Sequence, residues 1–295
     1  LKTGGSCPVN VKFLIEGEEE IGSPNLESFI AGHKDLLACD AVVVSDTAMF
    51  DKKTPSIVHG LRGLSYLQVD VRGTARDLHS GTFGGSVINP AFALAHIIAG
   101  LKDVKGRVKV PGFYDNVRKL TAKERNAFKK LPHSDTTWRK SIGAKALFGE
   151  PGYTTLERVW ARPTLEVNGI WGGFMGEGAK TVIPAEAHAK ISMRLVPNQT
   201  PKEIVAKVTS AIKKLAPKSV DVTVTHIHSG ESWLADTGHV ALQAAARAVK
   251  KAFGKTPVFT REGGSIPVVA TFDRILRVPS VLMGIGLHDD NLHAP

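Results

Sequence analysis

At 295 residues, 42% hydrophobic and 22% charged, the chain is long enough for one or two domains around a sizeable core. No apolar run approaches the roughly 18 residues of a membrane helix, no signal-peptide pattern opens the sequence, and two cysteines, Cys7 and Cys39, are too few for a disulfide framework or a zinc–thiolate cluster. The net charge of +10 is concentrated: residues 101–150 hold 13 Lys/Arg against five Asp/Glu. Such a segment can be a nucleic-acid footprint, but it lacks interleaved aromatics of the stacking kind, so it reads as a solvated surface insertion. Both cysteines read as reduced thiols near the core, which suits a cytoplasmic protein.

In chain order, residues 10–15 and 41–45 are short apolar runs flanking a helical pattern at 24–37, with Ser23 as N-cap and Pro24 in the first turn. This predicts a βαβ unit of a parallel sheet. The character changes at Pro55. Residues 66–71 alternate as a strand, and 89–101 have helical spacing with Pro90 at the first turn. The basic insertion follows, with short helices of its own. Strands are then expected near 164–174 and 185–196, a capped helix at 200–214 and a strand at 220–226. The order β-α-(insert)-β-β-α-β is the split βαβ, ferredoxin-like pattern. An amphipathic helix at 236–253 ends at Gly254, and 279–284 reads as a further buried parallel strand. The fold class expected is α/β: a catalytic domain with a mainly parallel sheet, residues 1–57 and 229–295, interrupted by a ferredoxin-like α+β domain, residues 58–228.

The chemistry concentrates in residues 11–23, VKFLIEGEEEIGS, where an apolar run stops at Glu16, Glu18, Glu19 and Glu20 between glycines. Carboxylates packed on one tight loop repel unless a cation or proton offsets them, which points to a metal site with a carboxylate left for acid–base work. A solvated acidic turn is the alternative. The second expected strand ends at Asp46, and the last leads into Gly286-Leu287-His288-Asp289-Asp290-Asn291-Leu292-His293. Three parallel strands would thus end in Glu19/Glu20, Asp46 and His293 at one crevice, and carboxylates with imidazole suit zinc or manganese. In the interrupting domain, Asp77-Leu78-His79-Ser80-Gly81 forms a glycine-rich turn. Arg194 lies in a strand with apolar neighbours and needs an anionic partner. His226 and His228 close another strand, and residues 260–267, TREGGSIP, form a glycine loop before a helix.

Taken together and in this order, EGEEEIGS, VVVSD, DLHSGTFGG, GAKTVIP, RLVPNQTP, TREGGSIPV and HDDNLHAP resemble the dimetal peptidases and amidohydrolases that include aminoacylase, succinyl-diaminopimelate desuccinylase and the carnosinases. The resemblance is strongest to the carnosinase-like cytosolic nonspecific dipeptidases and runs over essentially the whole chain. It implies two divalent metal ions, zinc foremost and manganese as the alternative, and a homodimer formed through the interrupting domain as a lid. The substrate implied is a small peptide with a free C-terminal carboxylate, with no nucleic-acid or membrane partner. It implies Glu19 as general base, Glu20 and His293 as ligands of one metal, and Asp46 as ligand of the other. His79 would stabilise the oxyanion in the partner subunit's site, assisted by Thr181. Arg194, His228 and Ser265 would hold the substrate carboxylate, and Glu262 would face the substrate amine. The family's H-x-D histidine and bridging aspartate have no counterpart in this sequence, nor has the helix that follows the last metal ligand. The expectation is a chain truncated at both ends, inactive by itself, whose complete form is a metallopeptidase. An N-acyl amino-acid deacylase of the same superfamily, or an inactive binding and assembly module, are the alternatives.

Overall fold

The computed structural model describes residues 5, 7–287 and 290, apart from the side chain of Glu20. The elements run α1 (Leu26–Gly32), α2 (Lys34–Leu37), β1 (Val42–Val44), β2 (Ser56–Leu61), β3 (Gly63–Arg72), β4 (Leu78–His79), α3 (Ser80–Phe83) and α4 (Pro90–Leu101). Then follow α5 (Ala122–Lys129), α6 (Asp135–Ser141), α7 (Thr155–Ala161), β5 (Thr164–Gly172), β6 (Val182–Ile183), β7 (Glu186–Leu195) and α8 (Pro201–Leu215). The chain closes with β8 (Asp221–Gly230), β9 (Trp233–Leu234), α9 (Val240–Phe253), β10 (Val258–Glu262), α10 (Pro267–Leu276) and β11 (Ser280–Leu282). Two compact units result: residues 1–57, 235–257 and 266–295 form the first, and 58–234 with 258–265 form the second.

In the first unit β1 pairs in parallel with β11, Val43 opposite Val281. Leu26 and Ile30 of α1 bury against Phe272 of α10, with Leu37, Val42 and Ile275 packed around them. Several expectations need correction here. Residues 11–15 form no strand and are exposed, Phe13 at 85% and Ile15 at 88%. A strand needs a hydrogen-bonding ladder, and among the described residues this run has none. The mainly parallel sheet is therefore represented among the described residues of this unit by the β1–β11 pair. The helix at 24–37 is two helices, broken at His33 (φ −124°, ψ 35°), where the backbone N–H and the imidazole Nδ1 both meet the Phe29 carbonyl. Ser23 caps nothing: it is left-handed (φ 50°), and Asn25 precedes α1. Cys7 and Cys39 are both exposed rather than near a core.

The second unit is built on the sheet β5-β7-β3-β8, antiparallel throughout. That is the strand order of the split βαβ pattern. Alternation along β3 and β7 dictates its two faces. Leu67, Val69 and Val71 of β3 join Ala187, Ala189, Ile191 and Met193 of β7 on the covered face. Ala93, Leu94 and Ile97 of α4 and Ile204, Val208 and Ile212 of α8 pack onto them. Each such buried aliphatic side chain contributes about 1.5–3 kcal/mol. Asn89 caps α4 by accepting from the Ala91 N–H at 2.9 Å, and Pro90 fills its first turn. Also in this unit, β2 pairs with β10 and with β9, and β4 pairs with β6.

The basic segment carries α5 and α6, as expected of an insertion, but it is more than solvated surface. Phe113, Phe128 and Leu131 are buried. Thr121 and Glu124 form a reciprocal capping box at the start of α5. The Glu124 carboxylate also accepts from Arg118 at 2.8 Å and pairs closely with Arg261 of β10.

Candidate functional site

Glu19 sits exposed in a single 3₁₀ turn, Glu19–Ile21, that closes the acidic run. Two of its neighbours serve the backbone of that turn. Glu16 accepts the Ser23 hydroxyl at 3.0 Å, and Glu18 takes the Asn25 amide at 2.9 Å together with the Asn25 backbone N–H. Those bonds engage two of the four carboxylates of the cluster. Asp46 stands exposed two residues beyond the carboxyl end of β1. The segments after β1 and β11 are laced together: Met283 N–H donates to Val44 O at 3.0 Å, Gly284 N–H to the Thr47 hydroxyl at 2.8 Å, and Met49 N–H to Gly286 O at 2.8 Å. Asp46 and the chain leading towards His293 therefore leave the same end of one parallel pair, where α/β sheets place ligands. His293 itself lies outside the described residues, as does the Glu20 side chain. Carboxylate and imidazole donors suit zinc in type, but among the described residues no three metal-ligating side chains come together.

In the second unit, β4 and β6 bring His79 opposite Val182. His79 Nδ1 accepts from the Gly81 N–H at 3.1 Å, and Nε2 lies 3.1 Å from the Thr181 hydroxyl. Because Nδ1 is used as an acceptor, the neutral ring carries its proton on Nε2. The imidazole is thus held as a donor at its exposed end. Ala185 N–H to the Asp77 carboxylate, 2.9 Å, ties the turn to the chain after β6.

In the four-stranded sheet, Arg194 Nη1 of β7 donates to the Ser265 hydroxyl at 3.0 Å. Ser265 in turn donates to the Arg62 carbonyl at 2.5 Å. Arg62 organises the glycine loop further: its N–H reaches Gly264 O at 3.2 Å and its Nε reaches Gly263 O at 3.0 Å. Burial lowers the Arg194 pKa. Burial, then the neighbouring Arg194 charge, brings that of Arg62 down to about 10. His228 stacks on Tyr66, ring centroids 5.4 Å apart. Register places His228, Tyr66, Ser192 and Arg194 on one face of the sheet. Glu262 is the last residue of β10, half-buried just ahead of the glycine loop.

The assigned lid residues therefore form two groups. Arg194 pairs with Leu64 near the start of β3, whereas Glu186 pairs with Arg72 at its end, beyond which lie His79 and Thr181. Eight strand residues at about 3.3 Å each separate the Arg194 and Glu186 ends of this pairing by roughly 26 Å, and His79 and Thr181 belong to the segments beyond the Glu186 end. Sequence reading missed Arg62, although an arginine between Leu61 and Gly63 at the end of an apolar strand has the same signature as Arg194. It also missed Asp70, whose carboxylate meets His188 Nδ1 at 2.6 Å beneath the stacked ring of Trp171.

The described residues thus form an α/β unit with carboxylates beyond a parallel strand pair, joined in sequence to a split βαβ unit carrying a histidine donor and an arginine–serine pair. The chain belongs to the M20 peptidases: residues 59–220 match the family's peptidase dimerisation domain. It is 36% identical to the Cys-Gly metallodipeptidase of Schizosaccharomyces pombe, over 99% of this chain and 62% of that protein. To the human Beta-Ala-His dipeptidase it is 35% identical, over 97% of this chain and 58% of that protein. Among solved structures, the M20 family metallo-carboxypeptidase of Sulfolobus solfataricus superposes with a TM-score of 0.84 at 33% identity. That match covers 95% of this chain and 64% of that one. The chain thus spans about three fifths of the length of these relatives.

Proposed function

We propose that this chain is part of a metal-dependent dipeptidase that acts as a homodimer on dipeptides with a free C-terminal carboxylate. Its cytoplasmic setting is part of the same reading and is supported by two unpaired cysteines. Glu20 and His293 would hold one divalent ion and Asp46 the other, zinc foremost and manganese as the alternative. Such ions supply a Lewis acid and a water acidified for attack. Glu19 acts as the general base and carries the proton to the leaving amine. His79 offers its Nε2–H, fixed by the Gly81 N–H behind it, to the oxygen on which charge develops. Arg194, Ser265 and His228 take the terminal carboxylate, and Glu262 faces the amine.

The observation that carries this reading is the separation of His79–Thr181 from Arg194–Ser265 within one chain. A dipeptide a few ångströms long cannot touch both groups of one lid. A symmetric pair of subunits allows it, each lending its His79 to the other's site. The test uses a polypeptide of the relatives' full length, reconstituted with zinc or manganese and assayed on free and N-acetylated dipeptides. A His79→Ala subunit paired with a Glu19→Gln subunit retains one complete site and should recover about half the wild-type turnover per dimer. Verified heterodimers as inactive as either parent would refute the exchange. Preference for acylated substrates would favour a deacylase instead.

A further inference from the structure

Beside Arg194 lies a cavity of about 400 Å³, entirely within the second unit. Its walls include Arg62, Arg158, Arg162, Lys102 and two carboxylates, Glu150 and Glu166. Both acids are already engaged. Glu150 is gripped by Arg162 through two bonds of 2.7 and 2.8 Å, and Glu166 pairs with Lys102 at 2.8 Å. Three guanidinium groups make no ion pair among the described residues, although Glu166 acts on Arg62 and Asp135 on Arg158 at longer range. Arg158 spends its Nε on the Glu150 backbone carbonyl at 2.9 Å, Arg194 meets only the neutral Ser265 hydroxyl, and Arg62 has Nη1 buried with no partner among the described residues. Burial first, then the Arg194 charge, lowers the Arg62 pKa to about 10, with Glu166 offsetting part of the fall. Cations packed in this way favour an anion between them.

We propose that this cavity takes the acidic side chain of a substrate's C-terminal residue, so that the site prefers dipeptides ending in glutamate or aspartate. The proposal rests on Arg194 holding the terminal carboxylate, as argued above. One carboxylate offsets one guanidinium, and a second, three or four bonds further along the ligand, meets the field of Arg158 and Arg62. Thr164, Asn168 and Ser192 add polar lining that an aliphatic side chain would leave unsatisfied.

The test is a binding titration of the chain with N-acetyl-glutamate and its neutral isostere N-acetyl-glutamine, which differ only in side-chain charge. The acid should bind about 10- to 100-fold more tightly at low salt, and the ratio should shrink at high ionic strength. Arg158→Met should lower the ratio severalfold, Arg62 supplying the remainder. Arg158→Lys keeps the charge and should keep most of the ratio, which separates the field from any loss of folding. Arg194→Met should weaken both ligands alike. If N-acetyl-glutamine ignores Arg194→Met, the carboxylate clamp fails. If acid and amide bind equally to the wild-type chain, or the ratio survives Arg158→Met undiminished in a folded variant, the acidic-side-chain cavity fails.

Discussion

Replacing Glu124 by Gln tests what holds the second unit together and needs no catalytic activity. The carboxylate accepts from Arg118 Nη1, Thr121 N–H and Thr121 Oγ1, each at 2.8 Å, and pairs with Arg261. The partners are unequal. The Arg118 side chain is 34% exposed, so its pair contributes about 0–1 kcal/mol. The Arg261 side chain is 4% exposed and its Nε has no partner among the described residues. Glutamine keeps a carbonyl for the α5 cap but leaves Arg261 as a buried charge without a counterion. Breaking one side of such a pair costs about 3–5 kcal/mol, and the lower end applies because Glu124 is not fully buried. A loss of about 3 kcal/mol lowers the melting temperature of a unit this size by roughly 6–12 °C. Burial alone would raise the Glu124 pKa, but hydrogen bonds from Arg118 and Thr121 and the Arg261 charge bring it from 4.5 down to about 2. Glu124 therefore stabilises fully above pH 4.5, and that contribution disappears as pH falls towards 2. Urea unfolding followed by circular dichroism at pH 7 and through the acid range is the assay. The deficit of the variant should be largest at pH 7 and shrink with acid. Arg261→Met added to Glu124→Gln should recover stability, since no lone charge remains. A Glu124→Gln deficit under about 1 kcal/mol at pH 7 would show that Arg261 does not depend on this carboxylate.

Gly284→Ala should misplace the loops that carry Asp46 and lead to His293, because a Cβ there would stand 1.7 Å from the Thr47 carbonyl oxygen. A cost of about 3 kcal/mol is expected, with faster amide exchange confined to residues 42–49 and 280–287; unchanged exchange would refute the close approach. Arg194→Met should erase the preference for C-terminal acids over their amides, a difference of about 1.5–3 kcal/mol or 10- to 150-fold. Equal handling of acids and amides by the wild-type protein would leave Arg194 as a partner of Ser265 and nothing more.

What the sequence made legible follows from how local each signal is. Asn89-Pro90 and Gly254 punctuate α4 and α9 through their own backbone geometry, so those helices begin or end where the pattern places them. Alternation at residues 66–71 announced the two faces of β3, because α4 and α8 cover one of them. β2 was missed: SIVHGL is buried at every position and shows no period to read. The opposite error occurred at residues 11–15, where an apolar run suggested burial but the described residues supply no ladder to pair with it. Burial is a property of partners, and a single segment does not specify its partner.

The same distinction governs the site. His79 was legible because its role is written locally: the ring bonds to Gly81 two residues on. Arg62 was not, since what marks it is the company of Arg194 and Ser265, distant in sequence. Glu124 and Arg261 are 137 residues apart, and each alone reads as ordinary surface charge. Their pairing ties the basic insertion to the strand that delivers Glu262 and the glycine loop. The insertion thus contributes a carboxylate, Glu124, to that tie, and Lys102, whose charge is taken up by Glu166, to the wall of the cavity beside Arg194. Neutralising Arg158, which lines that cavity, should therefore change ligand preference, whereas neutralising the exposed Lys129 or Lys130 should not.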